Sequence, residues 1–192
     1  MSSVVNIFQQ MRQRRSKAKA IEEKAAASRL SPEELRARTF QRAAKLLAAK
    51  PRSIAELRER LAERCSSESV IETVIARLRE YGYLDDEHYA LTYASSKVRQ
   101  QPIGRRRLEQ SLVMKKVDRK VAAEALDQVF AETSEQELID RAIAKRIRLR
   151  GRPKTRAEAK SLFDHLLRQG FPFELVADKV RAAAKPELED DE

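Results

Sequence analysis

A chain of 192 residues with no tryptophan, four glycines and six prolines is long enough for one or two domains and poor in residues that interrupt helices. Its formal charge of +10 favours negatively charged partners, and its lone cysteine, Cys65, excludes an internal disulfide and reads as a small structural side chain. No apolar run approaches the roughly 20 residues that span a bilayer, and Met1 to Asn6 lacks the basic-then-apolar order of a signal peptide, so a cytoplasmic protein without membrane contact is expected.

In chain order, residues 1–34 form a basic extension in which Ile7, Phe8 and Met11 supply one sticky turn, and disorder or fraying is expected before Ser31. Ser31-Pro32-Glu33-Glu34 reads as a helix start, with a hydroxyl cap, proline at the first helical position and carboxylates in the first turn. Phe40, Ala44 and Leu47 then predict a helical face that Lys50-Pro51 ends. Ser53 caps a helix carrying Ile54, Leu57 and Leu61, and Ser66-Ser67-Glu68 opens the next, which Gly82 closes. Asp85-Asp86-Glu87 places acids at a further helix start, with Tyr89 and Tyr93 inward. Pro102 and Gly104 precede an arginine-rich helix, and Asp118 caps one that runs to about Phe130. A long helix from Ser134 carries Leu138, Ile139, Ala142, Ile143 and Ile147 and stops at Gly151-Arg152-Pro153. Thr155 caps another, and the Gly170 to Pro172 stretch turns into the last.

This order repeats. Leu57 and Leu61 match Leu108 and Leu112 at an offset of 51 residues, and these match Leu162 and Leu166 at 54. Val70, Ile71, Val74, Ile75 and Leu78 align with Val121, Ala122, Ala125, Leu126 and Val129, and more loosely with Leu175, Val176, Lys179, Val180 and Ala183. The pattern predicts an all-α fold of three tandem three-helix repeats at 35–84, 85–132 and 133–185, stacked as an elongated, curved array, with an acidic tail at 186–192.

Two windows hold most of the positive charge. Arg99, Arg105, Arg106, Arg107, Lys115, Lys116, Arg119 and Lys120 face only Glu109 and Asp118 within 99–120. Arg141, Lys145, Arg146, Arg148, Arg150, Arg152, Lys154, Arg156 and Lys160 face only Glu158 within 141–160. Such density attracts phosphate or an acidic protein surface, whereas the plainer reading of each window is a solvated helix face. Arg105, Arg106 and Arg107 start a predicted helix, where side chains and free backbone N–H groups would converge on one phosphate. Tyr81, Tyr83, Tyr89, Tyr93 and Phe130 could stack on bases, but their spacing favours core packing. The tail, with Glu187, Glu189, Asp190, Asp191 and Glu192, is expected to be mobile and to cover either window, or simply to add solubility.

Catalysis finds no constellation. His88 and His165 lie in different repeats without ligand spacing, Asp85-Asp86 reads as helix capping, and there is no glycine-rich phosphate loop, paired-cysteine motif or nucleophile elbow. The expectation is a protein that is not an enzyme and has no cofactor or metal. Three-helix units also suit a stand-alone duplex reader or transcriptional regulator, but no helix carries an Asn, Gln and Arg base-reading set.

Tyr81-Gly82-Tyr83-Leu84-Asp85-Asp86-Glu87-His88-Tyr89-Ala90, followed by Tyr93, Arg99 and a basic second helix, resembles the RecX family of bacterial recombination regulators over about residues 35–183. Gly82, Tyr83, Leu84, Asp85, Asp86, Tyr89 and Ala90 are the most specific part of the match. Where the family has a Gly-Pro-x-Arg-Ile-like run, this chain has Gln101-Pro102-Ile103-Gly104-Arg105-Arg106-Arg107-Leu108. The resemblance implies an all-helical regulator that binds the groove of the RecA filament on single-stranded DNA and restrains filament extension, ATP hydrolysis and strand exchange. It implies contact with single-stranded and secondarily duplex DNA, and a monomer is expected. The RecA- or DNA-facing residues would be Arg99, Arg105, Arg106, Arg107, Lys115, Lys116, Arg119, Lys120, Arg146, Arg148, Arg150, Arg152, Lys154 and Arg156.

Overall fold

The computed structural model describes residues 30–184, with Arg14, Ala18, Glu22 and Lys24; the expectations for the rest of the basic extension and for the acidic tail lie outside these residues. Among the described residues nine helices and no strands are found: α1 (Pro32–Ala49), α2 (Ile54–Ala62), α3 (Glu68–Glu80), α4 (Asp86–Gln100), α5 (Arg105–Met114), α6 (Arg119–Glu132), α7 (Glu135–Arg150), α8 (Arg156–Arg168) and α9 (Phe173–Ala183). They divide into two compact units, Met1–Asp85 and Asp86–Glu192.

Local chemistry sets the helix ends. Ser31 and Glu34 form a reciprocal box: the Glu34 N–H donates to Ser31 Oγ at 3.3 Å, and the Ser31 N–H donates to the Glu34 carboxylate at 2.9 Å. The backbone bond comes first, with the Ser31 hydroxyl second, in holding the Glu34 carboxyl below its usual range. Ser53, Ser67, Asp118, Ser134 and Thr155 cap their helices through side-chain oxygens. Gly82, at φ 71°, occupies the left-handed position after α3, and the Tyr83 N–H reaches back to the Leu78 carbonyl at 2.9 Å.

In the first unit α1, α2 and α3 pack on one another around Ala43, Leu57, Leu61, Ile71, Val74, Ile75 and Leu78. Arg58 joins α2 to α3 through both oxygens of Glu72, at 2.5 and 2.9 Å. Cys65 is buried here, with its thiol 3.6 Å from the Ser67 carbonyl.

The buried line of α1 differs from the expected Phe40, Ala44 and Leu47. Thr39 and Ala43 are buried, Phe40 and Leu47 are partly so, and Ala44 faces solvent. Thr39 tolerates burial because its hydroxyl donates to the Leu35 carbonyl at 2.7 Å, so a polar residue occupies a core position.

The expectation of inward Tyr81 and Tyr83 is also corrected, since they are 50% and 69% exposed. They follow the last turn of α3, where the Gly82 reversal takes them off the helix line and directs Leu84 into the core instead.

The second unit holds two helical triplets around one continuous core. In α4–α6, Ala90, Ala94, Val98, Leu108, Leu112, Ala122 and Leu126 are buried, and Tyr89, Tyr93 and Phe130 pack partly against them. In α7–α9, Leu138, Ile139, Ala142, Leu162, Leu166, Val176 and Val180 extend the same cluster.

Backbone joins the two triplets. The Gly104 N–H donates to the Gln169 carbonyl at 2.9 Å, and a Cβ on Gly104 would lie 2.4 Å from the Gly170 carbonyl carbon and oxygen. Gly170, at φ 88°, approaches Arg107 as closely. Only glycine fits where two backbones meet at this distance.

Candidate nucleic-acid interface

The first basic window does not form a single patch. The ten residues of α5 separate Arg105 at its start from Lys115 at its end by about 15 Å of helix axis. Lys115, Lys116, Arg119 and Lys120 cluster at the α5–α6 turn, where Lys116 has φ 61° and Lys120 makes only a 3.9 Å contact with Glu124. Arg99 is exposed in the last turn of α4.

Nor do Arg105, Arg106 and Arg107 grip one phosphate at the start of α5. The Arg105 N–H donates to Glu135 Oε1 at 2.9 Å, and its guanidinium pairs with Asp127 at 2.7 Å, so an internal carboxylate already occupies that helix start. Arg106 is exposed and lines a shallow recess with Leu167, Phe171 and Phe173. Arg107 turns to the other triplet, where its Nη1 donates to the Arg168 carbonyl at 2.8 Å.

The second window divides by helical phase. At 100° per residue, Arg141, Lys145 and Arg148 share an exposed stripe of α7, while Arg146 and Arg150 point to a different side, towards α8. Arg146 Nη2 donates to Ser161 Oγ of α8 at 3.1 Å. Below them lies a cavity of about 240 Å³ lined by Arg146, Arg150, Arg152, Pro153, Glu158 and Ser161. That is smaller than the roughly 300–1,000 Å³ of typical small-molecule sites. Lys154 follows it, its N–H donating to the Glu158 carboxylate at 2.7 Å, and Arg156 opens α8.

Ser161, His165 and Arg168 lie at i, i+4 and i+7 along α8 and so share one side of that helix. His165 is partly buried. This burial first, and then the charges of Arg146, Arg168, Arg107 and Arg150, hold its imidazole below the usual histidine range, so it is neutral at neutral pH. Four arginines from α5, α7 and α8 therefore act on one imidazole, and none of the four pairs with a carboxylate among the described residues.

The cluster draws Arg107 from the first window and Arg146 and Arg150 from the second. Sequence reasoning missed Arg168 and Ser161, and it found no ligand spacing around His165. The only signal in the chain was their shared helical phase with one another.

The specific motif has structural reasons at several positions. Gly82 supplies the left-handed turn, Leu84 enters the first core, Asp86 opens α4, and Ala90 is buried in the second core with Tyr89 partly packed on it. Tyr83 and Asp85 face solvent. Among the described residues no three His, Cys, Asp or Glu side chains gather as metal ligands, and no helix is long and apolar enough to cross a membrane.

Residues 40–78 match the family description "RecX, first three-helix domain", and residues 85–126 match "RecX, second three-helix domain". "Regulatory protein RecX" of Amycolatopsis mediterranei is 30% identical over 74% of this chain and 81% of its own length. Its namesake in Thermobifida fusca is 30% identical over 82% and 84%. The crystal structure of RecX from Lactobacillus salivarius shares the fold, with a TM-score of 0.67 at 19% identity over 77% of this chain and 94% of that one. With its helical triplets in place and relatives of this similarity along most of its length, the chain belongs to the RecX family of regulatory proteins.

Proposed function

We propose that the protein is a non-enzymatic regulator that binds the RecA recombinase filament on single-stranded DNA in the cytoplasm and restrains filament extension, ATP hydrolysis and strand exchange. Family membership carries this reading, and the relatives bear the word "regulatory" in their names. The positive charge supports it, because arginines that pair with no carboxylate among the described residues favour an anionic surface such as a nucleoprotein filament. Arg99, Lys115, Lys116, Arg119, Lys120, Arg148, Arg152, Lys154 and Arg156 would supply further contacts to RecA or to phosphate. They sit on several helix ends, which suits a long, irregular partner better than a compact ligand.

The test is the rate of DNA-dependent ATP hydrolysis by RecA as this protein is added. Slowing at substoichiometric amounts is expected. Unchanged hydrolysis and strand exchange at equimolar protein would overturn the reading, and tight binding to one duplex sequence would favour a stand-alone DNA-binding regulator.

A further inference from the structure

The side of α8 that carries Ser161, His165 and Arg168 combines two features that seldom occur together at a surface. The charges of four guanidinium groups on three helices, none paired with a carboxylate among the described residues, act on one partly buried imidazole. Two of the four are held by hydrogen bonds: Arg107 Nη1 donates to the Arg168 carbonyl and Arg146 Nη2 to the Ser161 hydroxyl. Beside the cluster a cavity opens between Arg146, Arg150 and Ser161, with Arg152 and the Glu158 carboxylate also on its wall and the Glu158 carboxylate accepting from the Lys154 N–H. Mutual repulsion among like charges at this density disfavours the cluster unless it has a use, since like pairs at i and i+4, such as Arg146 and Arg150, destabilise a helix.

We propose that Arg107, Arg146, Arg150, Arg168 and His165 form a phosphate-binding site, and that an oxyanion seated there draws a proton onto the imidazole. The chemistry follows from the donor set. Guanidinium forks match the geometry of a phosphate, and the Ser161 hydroxyl adds a neutral donor. Two sources offer this chemistry, a phosphodiester of the DNA backbone and the phosphate chain of a nucleotide. The inference deepens the functional reading above by naming where phosphate is held, but it stands or falls independently of RecA.

The charges that act on His165 come from Arg107 of α5, Arg146 and Arg150 of α7 and Arg168 of its own helix, all positive. An added phosphate offsets part of that positive charge and can accept a hydrogen bond from the imidazolium. Protonation then costs less than in the free state, and the bound state takes up a proton that the free state lacks. Linkage makes affinity rise as pH falls through the gap between the free and bound titration points, by at most about tenfold per pH unit.

His88 and His165 are the two histidines, so their imidazole signals can be followed separately by NMR in the full chain. Titrations are run with no addition, with inorganic phosphate, with ATP and with oligothymidylate. The expected result is an upward move of the His165 midpoint with at least one phosphate probe while His88, on the exposed surface of α4, stays in place. A move with oligothymidylate but not ATP assigns the backbone phosphodiester; the converse assigns a nucleotide. A His165 midpoint that holds still with all three probes overturns the proposal.

Two variants complete the test. His165→Gln should bind oligothymidylate, whose phosphodiesters do not titrate in this range, with a flat pH profile between about pH 5.5 and 7.5 where the parent profile slopes, and with phosphate or ATP, which titrate there themselves, it should lose the extra slope of the parent. Arg146→Gln with Arg150→Gln should weaken binding and, for oligothymidylate, reduce the salt slope by about 0.7 for each phosphate no longer neutralised. Parent-like slopes in both variants, with unchanged melting, would also overturn it. Failure here alongside intact RecA inhibition removes the phosphate site and leaves the regulatory reading; the reverse outcome does the opposite.

Discussion

At the scale of single residues, Gly104 and Gly82 separate two reasons for a glycine. Gly104 has an ordinary negative φ of −81°, yet a Cβ there would meet Gly170 backbone at 2.4 Å. Gly104→Ala is therefore expected to destabilise the second unit by at least the roughly 1–3 kcal/mol of an overpacked core, read by chemical denaturation. Gly82 has open space around it but a φ of 71°, so Gly82→Ala should cost only the left-handed penalty of roughly 1–2 kcal/mol. A Gly104→Ala variant as stable as the parent would show that the close approach relaxes without cost. Leu108 is fully buried, and Leu108→Ala is expected to cost roughly 2–5 kcal/mol. His165 adds a pH term. Its folded-state pKa lies below the ordinary histidine value of 6.5, so below about pH 6.5 the unfolded chain binds more protons than the folded one. This contribution is complete above the unfolded pKa and is lost as pH falls towards the folded one. Melting temperatures from about pH 7.5 to 5.5 should fall less steeply in His165→Gln than in the parent.

At the scale of elements, the start of α5 is held by a residue of another helix. Glu135, in the first turn of α7, accepts the Arg105 N–H at 2.9 Å, while Gly104 at the cap position offers no side chain. Glu135→Ala should lower the stability of the second unit by about 1 kcal/mol, the usual value of a lost N-terminal cap, with hydrogen exchange speeding first in the opening turn of α5. Unaltered protection there would mean that water replaces the carboxylate without loss. The same bond explains what could and could not be read in the chain. Leucines four apart, hydroxyl caps and Gly82 are local signals, each complete within a few residues; the hydroxyl caps placed five of the helix starts, and all three repeated leucine pairs lie in the core. The face of α1 was displaced by one residue because a buried threonine satisfied by its own helix looks polar in sequence. The arginine cluster was illegible because its partners are remote: Arg107 bonds a carbonyl 61 residues away, and Arg146 a hydroxyl 15 away. Charge density marked the windows, but helical phase and tertiary docking decided which side chains meet.

At the scale of the whole molecule, the buried side chains form two clusters, one in each compact unit. Each cluster is expected to open by itself, so Leu57→Ala should accelerate hydrogen exchange in α1–α3 while leaving α4–α9 near parent rates, and Leu108→Ala should do the reverse. Uniform acceleration by either would reveal a single cooperative body. The Gly104–Gly170 approach has a consequence for ancestry as well as for stability. A repeating sequence suggests interchangeable parts, yet the second and third triplets meet where neither backbone can accept a side chain on the other. A graft of α7–α9 from a relative would seat only if it brought a glycine at the position of Gly170 to meet Gly104. The two positions are thus expected to be inherited as one character, and the smallest transferable piece of this half of the molecule is six helices rather than three.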